Sequence, residues 1–334
     1  MVKRAPGKLA RAKVKKDAKQ SKKPKSVVDI SLSTVRSVND LVLQLGAAGG
    51  FSSKKVAMGT EIITSMFEDK SCFTFLSFPG NIIATGTRGV ITELVKHKLV
   101  DAVITTCGTL DHDLARIWKK YYHGEFLMDD AELRRQGINR LGNILVPNES
   151  YGIILEKKMQ PILEELWKIG QKEYSTKEII WEFGRRVKDE KSILFWCAKN
   201  EIPIYVPGIT DGAFGSQLWM FTQIHKDFKI NLFADEQELA DIVFTSKRTG
   251  ALMIGGGISK HHTIWWNQYR NGLDYVVFIT TAQEYDGSLS GAKVREGISW
   301  GKVNEKAKYV TIDGDATVLL PIMVAAVKER LKLK

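Results

Sequence analysis

The segment Glu296-Gly297-Ile298-Ser299-Trp300-Gly301-Lys302 holds the residues best suited to covalent chemistry in this chain. A lysine amine is a nucleophile only when it is deprotonated, and apolar surroundings favour the neutral amine. Trp300 can supply such surroundings, or a ring face for a cationic ligand. Glu296 can hold an ammonium group nearby. The combination predicts imine chemistry on an amine substrate, although a surface lysine beside a tryptophan is the plainer alternative.

Two other motifs nearby are weaker. The segment is one residue too short for the phosphate-binding pattern G-x-x-x-x-G-K-[ST], and Val303 replaces its hydroxyl residue. In Lys260-His261-His262, adjacent histidines on a helix would point about 100° apart, which disfavours a shared metal ion. We therefore predict no metal site, and we interpret one of these histidines as an acid or base near neutral pH.

The charge of the chain is concentrated at its start. The formal net charge is +11, and eleven of the 49 basic residues but one of the 38 acidic residues lie in residues 1–26. The rest is nearly neutral, so the sequence predicts a basic, disordered arm over residues 1–27 and a single domain over residues 28–334. The arm is a candidate for contact with RNA or with an acidic protein surface. The arm lacks the apolar core of a secretory signal, and no apolar stretch of the chain is long enough to span a membrane. The three cysteines have no metal-ligand spacing and are odd in number, which fits the reducing cytoplasm best.

Short β-rich runs alternate with longer amphipathic stretches, which predicts an α/β fold with a Rossmann-like, doubly wound and mostly parallel sheet. The predicted strands are residues 72–78, 102–106, 202–206, 251–254, 275–281 and 309–312, and the predicted helices include residues 28–45, 82–97, 151–169, 176–187 and 236–243. Each strand is followed by small residues, with acids or amides beside most of them. Ligands bind at the carboxyl ends of such strands, so we predict a nucleotide site there. The G-x-G-x-x-G pattern is absent, because Lys260 replaces the third glycine after Gly255-Gly256-Gly257.

Several long motifs, in order, resemble the deoxyhypusine synthase family, in its archaeal form, over nearly all of the chain from Val28 onward. They are residues 142–151 (GNILVPNESY), 210–212 (TDG), 255–262 (GGGISKHH), 281–288 (TAQEYDGS) and 299–302 (SWGK). The resemblance implies that NAD⁺ takes a hydride from spermidine and that the resulting imine loses 1,3-diaminopropane. The catalytic lysine then carries the aminobutyl group as an enzyme imine and passes it to one lysine of the hypusine-bearing translation factor. Bound NADH finally reduces the product imine.

The resemblance also implies residue roles. Lys302 matches the imine-forming lysine and His261 the active-site histidine. Positions matching the amine pocket are Glu296, Trp300, Gly287, Ser288, Leu289, Trp265 and Ser216. Positions matching NAD contacts are Asn81, Thr106, Gly108, Asp211, Gly256, Thr281, Ala282, Asp315 and Ala316. Members of the family are homotetramers with active sites at a dimer interface.

The chain departs from the better-known eukaryotic members at five positions. Ser216 and Leu289 replace pocket acids, Trp265 an asparagine, Phe278 a tyrosine and His112 a glutamate. Losing a carboxylate should weaken the hold on a polyamine by about 1–3 kcal/mol per charged hydrogen bond. Either the donor differs from spermidine, or aromatic faces or other acids, such as Asp111 or Glu284, bind it. Transfer to a small amine, as in homospermidine synthesis, and a non-catalytic NAD- and RNA-binding protein are the alternatives.

Overall fold

The structure is a computed structural model that describes residues 24–333, so most of the predicted basic arm lies outside the described residues. The strands are β1 (Cys72–Phe78), β2 (Ala102–Thr105), β3 (Tyr122–His123), β4 (Ile138–Leu141), β5 (Ile144–Pro147), β6 (Glu173–Tyr174), β7 (Ile204–Tyr205), β8 (Lys229–Ile230), β9 (Arg248–Ile254), β10 (Leu273–Thr280) and β11 (Val303–Asp313). The α-helices are α1 (Val38–Ala48), α2 (Phe51–Glu68), α3 (Thr87–Lys96), α4 (Cys107–Trp118), α5 (Asp130–Arg135), α6 (Gly152–Ile169), α7 (Thr176–Arg186), α8 (Ile193–Asn200), α9 (Ala213–Ile224), α10 (Leu232–Thr245), α11 (Gly257–Asn267), α12 (Glu296–Ser299) and α13 (Ala316–Arg330). Short 3-10 helices span Leu32–Thr34, Gly80–Ala84, Asn148–Ser150, Gln268–Arg270 and Glu284–Asp286.

All six predicted strands pair in one parallel sheet, in the spatial order β11-β10-β9-β1-β2-β7. Counted along the chain, these strands have the order 3-2-1-4-5-6, which is the order of a doubly wound nucleotide-binding fold. The predicted fold class is confirmed. The strand order reverses between β1 and β9, and that switch point opens a crevice at the carboxyl ends of the two strands.

Alternate strand residues face two separate hydrophobic layers. On β1, Leu76 packs into the layer that holds α2 and α13, while Phe75 packs into the layer that holds α10 and α11. Both side chains are fully buried. A strand covered on both faces is apolar at most positions, which explains why these strands are recognisable as mostly hydrophobic runs.

Two regions differ from the sequence prediction. The predicted helix over residues 28–45 begins only at Val38, because Ser37 and Asp40 form a capping box that fixes the start of α1. The chain between α4 and α6 also forms a small antiparallel sheet, β3-β5-β4, that was not predicted. Its strands are two to four residues long, too short for a clear alternation of apolar and polar side chains.

Candidate active site

Lys302 lies at the end of a tight turn that precedes β11. The Lys302 backbone N–H donates to the Gly297 carbonyl at 2.8 Å, which closes the turn after α12. Gly301 has φ +67°, a left-handed conformation that glycine adopts without a side-chain penalty. The turn directs the lysine into the protein, since Lys302 is only 8% exposed. The turn formed by the sequence SWGK therefore places the lysine amine in the protein interior.

Two indole rings flank that amine. Lys302 Nζ lies 5.1 Å from the Trp300 ring centroid and 5.7 Å from the Trp265 ring centroid. Both distances are within the range of a cation–π interaction. Trp300 comes from the same turn, whereas Trp265 projects from the last turn of α11. The aromatic wall expected from Trp300 is thus shared with a residue distant in sequence.

Helix α11 delivers two adjacent histidines to different surroundings. The His261 ring lies 5.6 Å from the Trp265 ring and lines the same cavity as Lys302. Burial, together with the positive charge of Lys302, lowers the pKa of His261, which favours the neutral ring. His262 Nε2 lies 3.1 Å from Glu236 Oε1, on another side of the helix. The two rings diverge as expected, and among the described residues no group of three metal-ligating side chains occurs.

Lys260 is a functional candidate that the sequence reasoning missed. Its amine is buried and donates to the carbonyls of Leu289 and Ala292, each at 2.7 Å. The amine also lies 3.7 Å from the Phe278 ring centroid. Burial lowers the pKa of Lys260 to about 7, despite the opposing charge of Glu296. The one available signal was a lysine in place of the third glycine of the dinucleotide pattern.

These residues surround a cavity of about 200 Å³ between α11 and the chain from Leu289 to Val303. The described residues lining it include three lysines (Lys260, Lys293 and Lys302) and a single carboxylate, Glu296. Glu296 is exposed at the rim, on the first residue of α12. The cavity of one chain is therefore rich in amines, aromatic surface and apolar side chains, and poor in acids.

The remaining predicted amine-pocket positions are divided. Leu289 lines the cavity, but Gly287 and Ser288 lie on the exposed turn that leads to it. Ser216 lies outside the cavity on α9, where its hydroxyl donates to the Gly212 carbonyl at 2.9 Å. Within one chain, the structure thus gathers Glu296, Trp300, Leu289 and Trp265 around Lys302, and leaves Ser216 apart.

The acids considered as substitutes are engaged elsewhere. Asp111 is buried and accepts hydrogen bonds from Tyr151 Oη at 2.7 Å and from the Phe214 N–H at 2.7 Å. Glu284 is exposed and pairs with Arg295 at 3.3 Å. Beside Asp111, His112 contacts Tyr121 Oη at 3.0 Å, and burial lowers the pKa of His112 to about 4. Within one chain, Asp111 therefore acts as a structural acceptor between α4 and α9, and a role in holding the amine stays a prediction.

The predicted nucleotide contacts follow the carboxyl ends of the six parallel strands, which we call the carboxyl edge. Asn81 follows β1, Thr106 and Gly108 follow β2, Asp211 follows β7, Gly256 follows β9, Thr281 and Ala282 follow β10, and Asp315 and Ala316 follow β11. These nine positions lie at one end of the sheet because all six strands run in the same direction.

The backbone is close-packed at the switch point of the carboxyl edge. The Gly80 N–H donates to Thr106 Oγ1 at 2.8 Å, and a Cβ on Gly80 would lie 2.4 Å from the Gly108 carbonyl carbon. Across the reversal, a Cβ on Gly255 would lie 3.3 Å from Pro79 Cγ. These glycines thus let the chain after β1 approach the starts of α4 and α11 closely, and a helix N-terminus favours an anionic group such as a pyrophosphate.

The two acids of the carboxyl edge differ in their engagement. Asp211 is exposed and follows β7. Asp315 caps α13, where it accepts from the Thr317 N–H at 2.9 Å and from Thr317 Oγ1 at 2.8 Å. A carboxylate that caps a helix can still accept from a ribose hydroxyl, because each oxygen has two lone pairs. Both acids therefore suit a nucleotide sugar.

The carboxyl edge and the lysine cavity are physically joined. A Cβ on Gly256 would lie 2.1 Å from Ser290 Oγ. Two residues after Ser290, Ala292 lines the cavity, and its carbonyl accepts a hydrogen bond from Lys260. Lys293, which lines the cavity, donates to Asp313 Oδ1 at 2.5 Å at the carboxyl end of β11. A cofactor on the edge and an amine in the cavity would thus share the segment that runs from Leu289 to Lys293.

Comparison with known proteins agrees with this geometry. The family model described as deoxyhypusine synthase matches residues 40–327. Proteins named "Probable deoxyhypusine synthase" from Picrophilus torridus and Thermoplasma acidophilum are 59% and 57% identical to this chain, each over 90% of this chain and 96% of the relative. A crystal structure of a provisionally assigned deoxyhypusine synthase from Entamoeba histolytica has a TM-score of 0.66 at 21% identity, over 90% of this chain and 96% of that one. Within residues 24–333, no helix has the length and apolar character needed to cross a membrane.

Proposed function

The chain belongs to the deoxyhypusine synthase family, and on this premise we propose that it transfers the aminobutyl group of spermidine to one lysine of the hypusine-bearing translation factor. We propose an imine on Lys302 as the intermediate and NAD as the cofactor. The observation that carries the proposal is the buried Lys302 amine between two indole rings, in a cavity that also contains His261. A buried amine among apolar groups is suited to nucleophilic attack on an imine.

The covalent step needs a neutral lysine and a proton carrier. In the proposed exchange, the Lys302 nitrogen forms a bond to the imine carbon of the oxidised donor while the bond to 1,3-diaminopropane breaks. The donor imine is protonated, so one proton moves from Lys302 to the departing amine and the positive charge stays on the new imine. His261 is the group placed to carry this proton, since it lines the same cavity and its surroundings favour the neutral ring.

The residues of the carboxyl edge fit a dinucleotide. Helix N-termini at α4 and α11 suit the pyrophosphate, and Asp211 and Asp315 suit ribose hydroxyls. NAD⁺, when bound, would accept the hydride from the amine and return it to the product imine. The chain's own part is to hold both reactants along the segment from Leu289 to Lys293.

The charge of the cavity supports an assembly of several copies. A polyamine has an ammonium group at each end, yet the described cavity residues supply one carboxylate against three lysines. We propose that a partner copy supplies the missing acids in a homotetramer. We propose further that the basic arm, residues 1–27, contacts RNA or an acidic protein surface, as its composition favours.

Transfer to a small amine is the second candidate, and one observation favours it. Leu289 presents an apolar side chain to the cavity at a position where the resemblance leads us to expect an acid. Without that acid, the cavity lacks a carboxylate partner for an ammonium group at the far end of the donor or acceptor. The same Lys302 chemistry would serve both reactions.

The test is an incubation with NAD⁺, radiolabelled spermidine and the purified translation factor, followed by borohydride. Wild type is compared with Lys302→Ala and with Lys306→Ala, a control that removes an exposed lysine of β11. With wild type and with Lys306→Ala, we expect label on both the factor and the enzyme. With Lys302→Ala, we expect label on neither. Label transfer by Lys302→Ala would refute the imine on Lys302. NADH formation with label on a small amine, and none on the factor, would establish the second candidate instead.

A further inference from the structure

We propose that Trp265 is a specificity-determining residue. Together with Trp300 it forms an indole clamp that binds the positive charge of the imine at Lys302 Nζ. This inference rests on the proposed function and assigns a role to a residue outside the SWGK turn. It explains how an acid-poor cavity can stabilise a cationic intermediate.

The clamp is defined by the two ring centroids, 5.1 Å and 5.7 Å from Lys302 Nζ. Trp300 is 66% exposed and Trp265 is 42% exposed, so the two rings form the outer wall of the buried amine. The imine formed on Lys302 is protonated, and its charge lies on the nitrogen and the adjacent carbon. A ring face attracts such a delocalised cation without needing a formal negative charge.

The remaining groups of the cavity cannot replace the clamp. Glu296 is the single carboxylate among the described lining residues, and it lies at the exposed rim. Lys260 and Lys293 add positive charge, and the Lys293 amine is occupied by Asp313 at 2.5 Å. The indole faces are therefore attractive surfaces within about 6 Å of the charge that develops on Lys302.

Neighbouring rings fix the orientation of Trp265. The His261 ring packs against it at 5.6 Å with an interplanar angle of 32°, and the Tyr269 ring meets it edge-on at 6.3 Å and 89°. His261, Trp265 and Tyr269 recur at every fourth position along the chain, which aligns them on one side of α11 and its continuation. The ring is thereby held in place before any ligand arrives.

The first experiment compares wild type, Trp265→Phe and Trp265→Leu, as full-length proteins, in the borohydride trapping assay without the translation factor. We expect Trp265→Leu to raise the KM for spermidine and to lower the trapped fraction on Lys302, each by about tenfold, in line with the strength of a partly desolvated cation–π contact. We expect Trp265→Phe to retain most of the adduct, and the KM for NAD⁺ to stay unchanged in both variants. Trp219→Leu, which removes an exposed tryptophan from α9, is the matched control.

A second experiment separates charge from shape. Fluorinated tryptophans at position 265 weaken the electrostatic attraction of the ring face with little change in its size. We expect the trapped fraction to fall stepwise with each added fluorine, while thermal stability is unaltered. A flat series, or a Trp265→Leu protein that traps as much label as wild type, would overturn the inference. Failure of wild type to label Lys302 at all would instead reject the proposed function on which the inference rests.

Discussion

Replacing Lys260 with methionine tests whether a buried lysine is neutral in the folded protein. Lys260 is 3% exposed, and burial lowers its pKa from the ordinary 10.5 to about 7. A shift of this size means that the fold disfavours the charged amine by about 5 kcal/mol relative to the unfolded chain. Methionine has a similar length and cannot titrate, so the comparison isolates the amine.

The sign of the pH dependence follows from proton binding. Between pH 7 and 10.5 the unfolded chain keeps the proton on Lys260 and the folded chain has released it. Stability therefore rises with pH in this window, by up to about 1.4 kcal/mol per pH unit from this one group. Below pH 7 both states bind the proton and the dependence disappears. The free energy of unfolding of wild type minus that of Lys260→Met should thus increase by about 2–3 kcal/mol between pH 7 and pH 9.

Urea unfolding of both proteins at pH 6, 7, 8 and 9 and at one protein concentration provides the measurement. The two hydrogen bonds to the Leu289 and Ala292 carbonyls add a pH-independent loss of about 1–3 kcal/mol for each carbonyl left unpaired. Lys306→Met controls for the removal of an exposed positive charge. A wild-type-minus-variant difference that stays constant from pH 6 to pH 9 would show that Lys260 remains protonated, and the reasoning would be wrong.

Three further predictions concern the carboxyl edge and the core. Gly256→Ala should weaken NAD⁺ binding and cost about 1–3 kcal/mol of stability, since its Cβ would lie 2.1 Å from Ser290 Oγ. The control Gly89→Ala, in open space on α3, should not destabilise the protein. Melting curves and NAD⁺ titration measure the two effects. Asp211→Ala should raise the Kd for NAD⁺ about tenfold in calorimetry, and an unchanged Kd would remove Asp211 from the nucleotide site. Asp113→Asn should lower the free energy of unfolding in urea by about 3–5 kcal/mol. The buried Arg88 guanidinium, which donates to Asp113 at 2.6 Å, would lose its charged partner. A decrease below about 1 kcal/mol would contradict this estimate.

The sheet was predictable from sequence because its strands are buried on both faces. Residues 72–78 form a mostly hydrophobic run, interrupted only by Thr74 and Ser77, and the predicted range is the observed β1. A run of this kind needs no knowledge of its neighbours to be recognised. The start of α1 was predicted ten residues too early, because hydrophobic residues continue through residues 28–36 and only the Ser37 cap marks the boundary.

The candidate site was predictable only in part, for a related reason. Lys302 and Trp300 are neighbours in sequence, so their contact could be anticipated. Trp265 and Lys260 contact groups more than 30 residues away, on Lys302 and Ala292 respectively. No local pattern encodes a lysine that donates to two distant carbonyls, and only the packing of α11 against the following loop reveals it.

The two outer strands of the main sheet restrict how copies of this chain can assemble. β7 is two residues long. At the other edge, β11 advances five residues while its partner β10 advances two, so three extra residues interrupt the pairing beside the exposed Glu305 and Lys306. A short strand and a bulged, charged strand both resist the addition of a further strand. We therefore expect the main sheet of one copy to remain separate from that of the next, rather than to continue into it.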